Sequence, residues 1–168
     1  MPENYLLQEV QIFNNLEPGQ LRKLSAYFLR CQYPVGEQIF AQNGLAEYFY
    51  ILISGEVLVR FKPYDGPELT VSHVHPGEVF GWSAALGNPN YTASAVSAGD
   101  CAMLRMRGAD LRKLCQENPE GGAKILEILA SAAGRPYNSA QSQVFALLEY
   151  GVCNSADRRR NAYGNTNE

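Results

Sequence analysis

A segment rich in small residues near the middle of the chain has the composition of an anion-binding site. It spans residues 80–95 and contains the small residues Gly81, Ser83 and Ala84 close together. Small side chains allow backbone N–H groups at a helix N-terminus to approach an anion, and the helix dipole favours negative charge there. The segment therefore predicts a pocket for a small anionic ligand.

A second group of residues with metal-binding chemistry precedes this segment. His73 and His75 share one face of a predicted strand, and Glu78 follows them closely. The arrangement resembles the first metal motif of cupins, in which two histidines and a carboxylate face one cavity. The spacing to Glu78 is shorter than in that motif, and the chain has only 2 histidines. We therefore expect two exposed strand histidines and no metal site.

The sequence carries no motif for covalent or phosphoryl-transfer catalysis. It has neither a Gly-x-Ser-x-Gly elbow nor a Gly-x-x-x-x-Gly-Lys loop. Its four cysteines, Cys31, Cys101, Cys115 and Cys153, lie far apart with no CxxC pair. We therefore expect a non-enzymatic protein with free thiols in the reducing cytoplasm.

Composition narrows the class of protein further. The chain has 168 residues, of which 46% are hydrophobic and 18% charged, with a net charge of −3. These values predict one packed domain and give no basis for nucleic acid as a partner. No apolar run approaches the roughly 18 residues of a membrane span, and the N-terminus lacks a signal-peptide pattern. A soluble cytoplasmic protein is expected.

Hydrophobic periodicity divides the chain into four parts. Residues 1–30 are predicted to be helical, and residues 31–107 have the short, glycine-punctuated strands typical of a β-roll. Residues 108–151 return to helical spacing, and residues 152–168 are predicted to be a mobile polar tail.

Two local expectations follow from the same periodicity. Residues 6–16 have a loose amphipathic stripe that predicts one helix, and Pro18 suits the first turn of a second helix. The apolar run Tyr48–Ile53, the turn at Ser54-Gly55 and the alternating run Val57–Phe61 predict a β-hairpin.

The order helix, β-roll, helix resembles the cyclic nucleotide-binding domain of catabolite-activator-like regulators, kinase regulatory subunits and gated channels. A first local pattern matches the family's signature by its spacing. It consists of Ile39-Phe40, the turn Asn43-Gly44, Ala46, the run Phe49–Leu52 and Gly55. The resemblance covers Phe13–Ala132 and implies a mainly β fold with flanking helices, in which the strands form a double-stranded β-roll, or jelly roll.

The second local pattern is the segment at 80–95, which in the family holds the cyclic phosphate. The family places a glutamate after the glycine and an arginine on the following strand, where this chain has Trp82 and Tyr91. Tyr91 donates one neutral hydrogen bond and cannot replace a guanidinium fork. By resemblance, the residues expected to contact a cyclic nucleotide, cAMP or cGMP, are Gly81, Trp82, Ser83, Ala84, Tyr91, Thr92, Ala93 and Ser94.

Two functions remain open from the sequence. In the first, a regulatory sensor binds a cyclic nucleotide or a related small anion and relays this through its C-terminal helices by population shift. In the second, Trp82 plugs the pocket and the roll is a ligand-independent scaffold that forms a homodimer or binds a protein partner. The apolar stripe for such a contact comprises Phe145, Leu147, Leu148 and Tyr150. No sequence-specific DNA contact is expected, because the remaining chain lacks a helix-turn-helix.

Overall fold

The computed structural model describes residues 7–132, which begin with short helical turns. Two 3₁₀ turns, Leu7–Glu9 and Gln11–Phe13, precede helix α1, Pro18–Ser25. The prediction of one amphipathic helix over residues 6–16 is therefore wrong. Val10 has an extended backbone, with φ −116° and ψ 113°, and this interrupts the helical hydrogen bonds between the two turns.

Eight strands form two four-stranded antiparallel sheets. The first sheet has the order β1-β8-β3-β6 and the second β2-β7-β4-β5. This confirms the predicted β-roll with flanking helices. The strands are β1 Leu29–Tyr33, β2 Gln38–Phe40, β3 Tyr48–Ser54, β4 Val57–Phe61, β5 Leu69–Val74, β6 Val79–Phe80, β7 Ser94–Ser97 and β8 Cys101–Arg107.

The predicted hairpin between Tyr48–Ile53 and Val57–Phe61 is wrong, because β3 and β4 belong to different sheets. Between them the chain passes along the 99–101 segment, and the Glu56 carbonyl accepts a hydrogen bond from the Ala98 N–H at 2.9 Å. Gly55 has φ +93°, and a Cβ there would lie 2.5 Å from the Asp100 carbonyl oxygen. The glycine thus carries the chain around a corner of the roll instead of reversing it.

The helices after the roll follow β8 without a break. Helix α3, Gly108–Glu117, leads into α4, Pro119–Ser131, and a one-turn helix α2, Trp82–Ala85, lies between β6 and β7. The Asn118 side chain caps α4 by accepting from the Gly121 N–H at 3.1 Å. The predicted helix around residues 144–148 and the polar tail lie outside the described residues.

Two hydrophobic clusters lie on opposite faces of the first sheet. Leu104 and Met106 on β8 face the cluster made with the helices, whereas Cys101 and Met103 face the interior of the roll. We call them the helical cluster and the roll cluster. The helical cluster is Leu7, Val10, Phe13, Leu16, Leu24, Phe28, Phe49, Ile51, Val79, Leu104, Met106, Leu111, Ile125, Leu129 and Ala132. The roll cluster is Ile39, Tyr50, Leu52, Val57, Val74, Phe80, Ala95, Cys101 and Met103.

Candidate functional site

Gly81 joins β6 to α2 and needs to be glycine for two reasons. Its φ is +79°, a left-handed conformation that is energetically unfavourable for any residue with a side chain. A Cβ at this position would also lie 3.1 Å from the Tyr48 carbonyl oxygen and 3.2 Å from the Phe49 Cα. The segment that begins at Gly81 is therefore seated directly on strand β3.

Helix α2 itself is a single turn. It spans the four residues Trp82–Ala85, with Ser83 and Ala84 buried. The Ser83 carbonyl accepts from the Asn88 N–H at 2.9 Å, which folds the following loop back over the turn. A helix of this length has little of the dipole that the sequence analysis invoked for anion binding.

Trp82 lies on the helical side of this segment. Its partly buried indole packs against the helical cluster. This position disfavours the expectation that Trp82 plugs the interior of the roll.

Tyr91 is the residue that occupies the roll interior. It is only 5% exposed. Its ring stacks on Phe40 with centroids 3.8 Å apart and planes inclined by 12°. Its hydroxyl donates to the Tyr48 carbonyl at 2.5 Å and accepts from the Tyr48 N–H at 3.2 Å. Both hydrogen-bonding roles of the hydroxyl are thus satisfied by one backbone residue of β3.

Tyr91 belongs to a stack of four aromatic rings, which we call the aromatic stack: Phe40, Tyr50, Phe80 and Tyr91. Tyr50 and Phe80 have centroids 5.1 Å apart with planes inclined by 16°, and Phe40 lies 5.8 Å from Tyr50. Burial is the main cause that raises the pKa values of Tyr50 and Tyr91 above 10.0. Both phenols are therefore neutral at physiological pH.

The three residues after Tyr91 differ in accessibility. Thr92 is exposed, whereas Ala93 and Ser94 are buried. The Ser94 hydroxyl accepts from the Gln42 N–H at 2.8 Å. Its proton can still be donated to an anionic ligand, and one lone pair can still accept a hydrogen bond.

Arg105 on β8 is a charged residue beside the roll cluster that the sequence analysis did not consider. It is partly buried, and its Cζ lies 4.5 Å from the centroid of the Tyr48 ring. Its Nε is buried and has no hydrogen-bond partner. The signal was present in the alternation of β8, which places Arg105 on the same face as Cys101 and Met103.

Helix α3 contacts the one-turn helix directly. The Arg112 Nη1 donates to the Ala84 carbonyl at 2.8 Å. A Cβ added to Gly108 would lie 1.9 Å from the same carbonyl oxygen. Glycine at position 108 thus allows the start of α3 to touch the end of α2.

The two histidines contact different acidic residues. His73 Nδ1 lies 2.7 Å from Glu56 Oε1, whereas His75 follows the end of β5 and donates its backbone N–H to Glu78 Oε2 at 3.1 Å. Within residues 7–132, no group of three or more His, Cys, Asp or Glu side chains could hold a metal ion. Cys31, Cys101 and Cys115 are free thiols. Among the helices described, none is long and apolar enough to cross a membrane.

Comparison with known proteins identifies the family. The model of the cyclic nucleotide-binding domain matches residues 30–118. The chain belongs to the cyclic nucleotide-binding domain family. The match includes the whole segment at 80–95, so the predicted family is confirmed together with the fold.

The relatives of this cyclic nucleotide-binding domain include transcription regulators. The chain is 31% identical over 119 residues to the cyclic AMP receptor protein of Thermus thermophilus, covering 71% of this chain and 55% of that protein. The crystal structure of the Thermus thermophilus catabolite activator protein superimposes with a TM-score of 0.62 at 28% identity, covering 85% of this chain and 62% of that one. A cyclic nucleotide-binding domain from Methylobacillus flagellatus has the same fold, with a TM-score of 0.70 at 19% identity over 88% of this chain and 83% of that one.

Within this cyclic nucleotide-binding domain, the predicted site residues do not face one common surface. Gly81 lies against β3, Ala84 accepts a hydrogen bond from α3, and Trp82 packs on the helical side. The buried residues are Ser83, Tyr91, Ala93 and Ser94, whereas Thr92 is exposed. The chain spans 55% of the length of its Thermus thermophilus relative.

Proposed function

We propose that this chain is the non-enzymatic sensing module of a regulatory protein. A cyclic nucleotide or a related small anionic ligand binds next to the segment at 80–95, and the C-terminal helices respond. The observation that carries this proposal is the hydrogen bond of 2.8 Å from Arg112 on α3 to the Ala84 carbonyl of α2. A change in the position of α2 changes the environment of a charged donor on α3.

A second contact supports a relay into α4. The Val79 N–H on β6 donates to the carbonyl of Ala132, just after α4, at 2.8 Å. β6 leads directly into Gly81 and α2. The segment at 80–95 is therefore connected to α3 at one end and to the end of α4 at the other, as a population shift between two helix arrangements requires.

The chemistry of the relatives favours cAMP as the first ligand to test. The Thermus thermophilus relative is named for cyclic AMP, and the chain is 29% identical over 108 residues to a cAMP-dependent protein kinase regulatory subunit of Aspergillus fumigatus.

The free thiols of the described residues favour a reducing compartment such as the cytoplasm.

The test combines calorimetry with hydrogen exchange. Wild-type protein is titrated with cAMP and cGMP, and amide exchange in residues 119–131 is measured with and without ligand. The key variant is Arg112→Met, and the matched control is the neighbouring Lys113→Met, whose ammonium pairs only with exposed Glu117 at 4.0 Å. We expect ligand to change exchange in α4 for wild type and Lys113→Met, and to change it less for Arg112→Met, in which the contact of Val79 with Ala132 remains. Ligand binding without any change in α4 would refute the relay.

A second candidate function is favoured by Tyr91. Its stacking on Phe40 at 3.8 Å fills the position at which the family resemblance expects a phosphate-binding arginine. In that case the module is a scaffold that forms a homodimer or binds a protein partner without a ligand. The variant Tyr91→Arg distinguishes the two functions. If wild type binds no cyclic nucleotide, sediments identically with and without it, and Tyr91→Arg gains binding, the scaffold is the correct function.

A further inference from the structure

We infer that Arg105 forms an anion-binding subsite in the roll, which holds the phosphate of a nucleotide ligand in place of an arginine at position 91. This inference deepens the proposed function and rests on it. It concerns which residue binds the phosphate, and it moves the anion site from the start of α2 to strand β8.

The direction of the Arg105 side chain is given by the strand. Along β8, Cys101 and Met103 belong to the roll cluster, and Leu104 belongs to the helical cluster. Arg105 therefore faces the interior of the roll. Its partner in the β3–β8 register is Tyr50, a member of the aromatic stack, and its guanidinium carbon lies 4.5 Å from the centroid of the Tyr48 ring.

The charge of Arg105 has no acidic partner among the described residues. The arginine and lysine side chains that form ion pairs there are Arg30, Arg107 and Lys113. Arg105 instead lies over an aromatic ring, and its buried Nε has no hydrogen-bond acceptor. A desolvated donor without an acceptor is unfavourable, and a bound anion would supply both the acceptor and the opposite charge.

The surroundings add a donor for a phosphate oxygen. Burial is the main influence that raises the pKa values of Tyr33 and Tyr50, while the positive charge of Arg105 opposes it in both. The two phenols are therefore protonated near the guanidinium, and because their side chains hydrogen-bond to each other, no more than one of the two O–H groups is left to donate to a phosphate oxygen. A phosphate group, with several acceptor oxygens and negative charge, matches such a set better than a neutral ligand does.

Tyr48 connects this subsite to the segment at 80–95. Its ring contacts Arg105, its backbone holds the Tyr91 hydroxyl, and its carbonyl oxygen lies against Gly81. Tyr48 alone would therefore separate an anion bound to Arg105 from the site that the family resemblance predicts.

The test compares Arg105→Gln with a matched arginine variant. Arg60 also has a buried Nε without a hydrogen-bond partner. It lies on β4 next to Val59, which packs against the roll cluster, and alternation directs Arg60 to the opposite face.

Calorimetric titrations with cAMP, 5′-AMP and adenosine compare four proteins: wild type, Arg105→Gln, Arg105→Lys and Arg60→Gln. In parallel, the arginine Nε–Hε NMR signals are followed during titration with inorganic phosphate, and thermal unfolding verifies that each variant is folded.

The expected result is a loss of phosphate recognition confined to Arg105. Arg105→Gln should weaken cAMP binding about ten- to hundredfold, the range for a charge-assisted hydrogen bond, and remove the preference for cAMP over adenosine. Arg105→Lys should retain part of that preference, and Arg60→Gln should bind as wild type does. Inorganic phosphate should shift the Nε–Hε signal that disappears in Arg105→Gln.

The outcomes separate this inference from the proposed function. Equal cAMP affinity in wild type and Arg105→Gln would overturn the Arg105 subsite and leave the sensing function intact. A phosphate shift at Arg105, or 5′-AMP binding that depends on it, without cyclic nucleotide binding would support the subsite and refute the cyclic ligand. Absence of binding by every nucleotide and of any phosphate shift would overturn both.

Discussion

The helical cluster and the roll cluster lie on opposite faces of the same sheet but differ in chemistry. In the helical cluster the aromatic rings meet edge to face, as Phe28 and Phe49 do at 6.1 Å and 86°. In the roll, rings stack face to face and carry hydroxyl groups, and a guanidinium lies over the ring of Tyr48. The helical side is an ordinary apolar core, whereas the roll side retains polar groups that a stability core does not need. This contrast agrees with the proposal that a ligand binds on the roll side.

The largest expected effect comes from breaking the helical cluster. Leu104→Ala removes a fully buried side chain and should destabilise the fold by about 3–5 kcal/mol, because it loses apolar burial and leaves a cavity. Urea denaturation followed by circular dichroism measures this loss. Leu126→Ala, at a position 44% exposed on α4, is the control and should change stability by about 0.5 kcal/mol or less. A loss below about 1 kcal/mol for Leu104→Ala would show that this face is not the stability core.

The next effect tests the contact of α3 with α2 on the helical side. Gly108→Ala introduces a Cβ that would lie 1.9 Å from the Ala84 carbonyl oxygen, so backbone must move, at a cost of about 2–3 kcal/mol. Gly19→Ala is the matched control in α1, where a Cβ would meet nothing within 4 Å. It should be neutral or stabilising by up to about 1 kcal/mol. Thermal unfolding compares the two, and equal midpoints would show that the α2–α3 contact is loose.

The sequence predicted the roll and its flanking helices correctly but not the path of the chain between β3 and β4, and the reason is physical. Family spacing and alternation gave the roll and its flanking helices, because glycine turns and period-two burial are local signals. The wrong hairpin at Ser54-Gly55 shows the limit of these signals. A glycine turn between two apolar runs has the same local pattern whether the chain reverses or crosses to another sheet, and the contact with Asp100 that decides this is distant in sequence.

The candidate site shows the same limit. The substitution of Tyr91 for the family's arginine was visible in the sequence, but its contact with Phe40 was not. Backbone hydrogen bonds between Tyr91 and the distant turn at Asn43 and Gly44 bring the two rings together. Trp82 was expected in the pocket, yet it packs on the helical side. Arg105 was overlooked because a charged residue on a strand usually faces solvent, although the alternation of β8 places it on the same face as Cys101 and Met103.

A smaller effect sharpens the polar character of the roll. Tyr91→Phe keeps the ring on Phe40 but removes the hydroxyl that serves both the N–H and the carbonyl of Tyr48. We expect a loss of about 1–2 kcal/mol, since a backbone donor on a buried segment loses its partner. Tyr64→Phe is the matched control, because Tyr64 is fully exposed at 101%, and should leave stability unchanged. Denaturant titration measures both. A neutral Tyr91→Phe would show that the ring alone fills the pocket.

The smallest effect is a change in folding stability at alkaline pH. We expect it for a residue of the roll and not for a residue of the helical cluster. Burial is the main cause that raises the pKa of Tyr91 above its ordinary value of 10.0 in the folded protein. The unfolded chain therefore releases this proton first, so the stabilising contribution is complete well below pH 10 and declines as pH rises through and above 10. Between pH 9 and 10.5 the decline amounts to at most about 0.8 kcal/mol for one tyrosine.

The advantage of wild type over Tyr91→Phe should narrow by up to that amount. The difference between wild type and Leu104→Ala should stay constant, because no ionisable group is changed there. Denaturant titrations at the two pH values decide it, and a constant Tyr91→Phe difference would mean that the Tyr91 phenol titrates alike in the folded and unfolded chains.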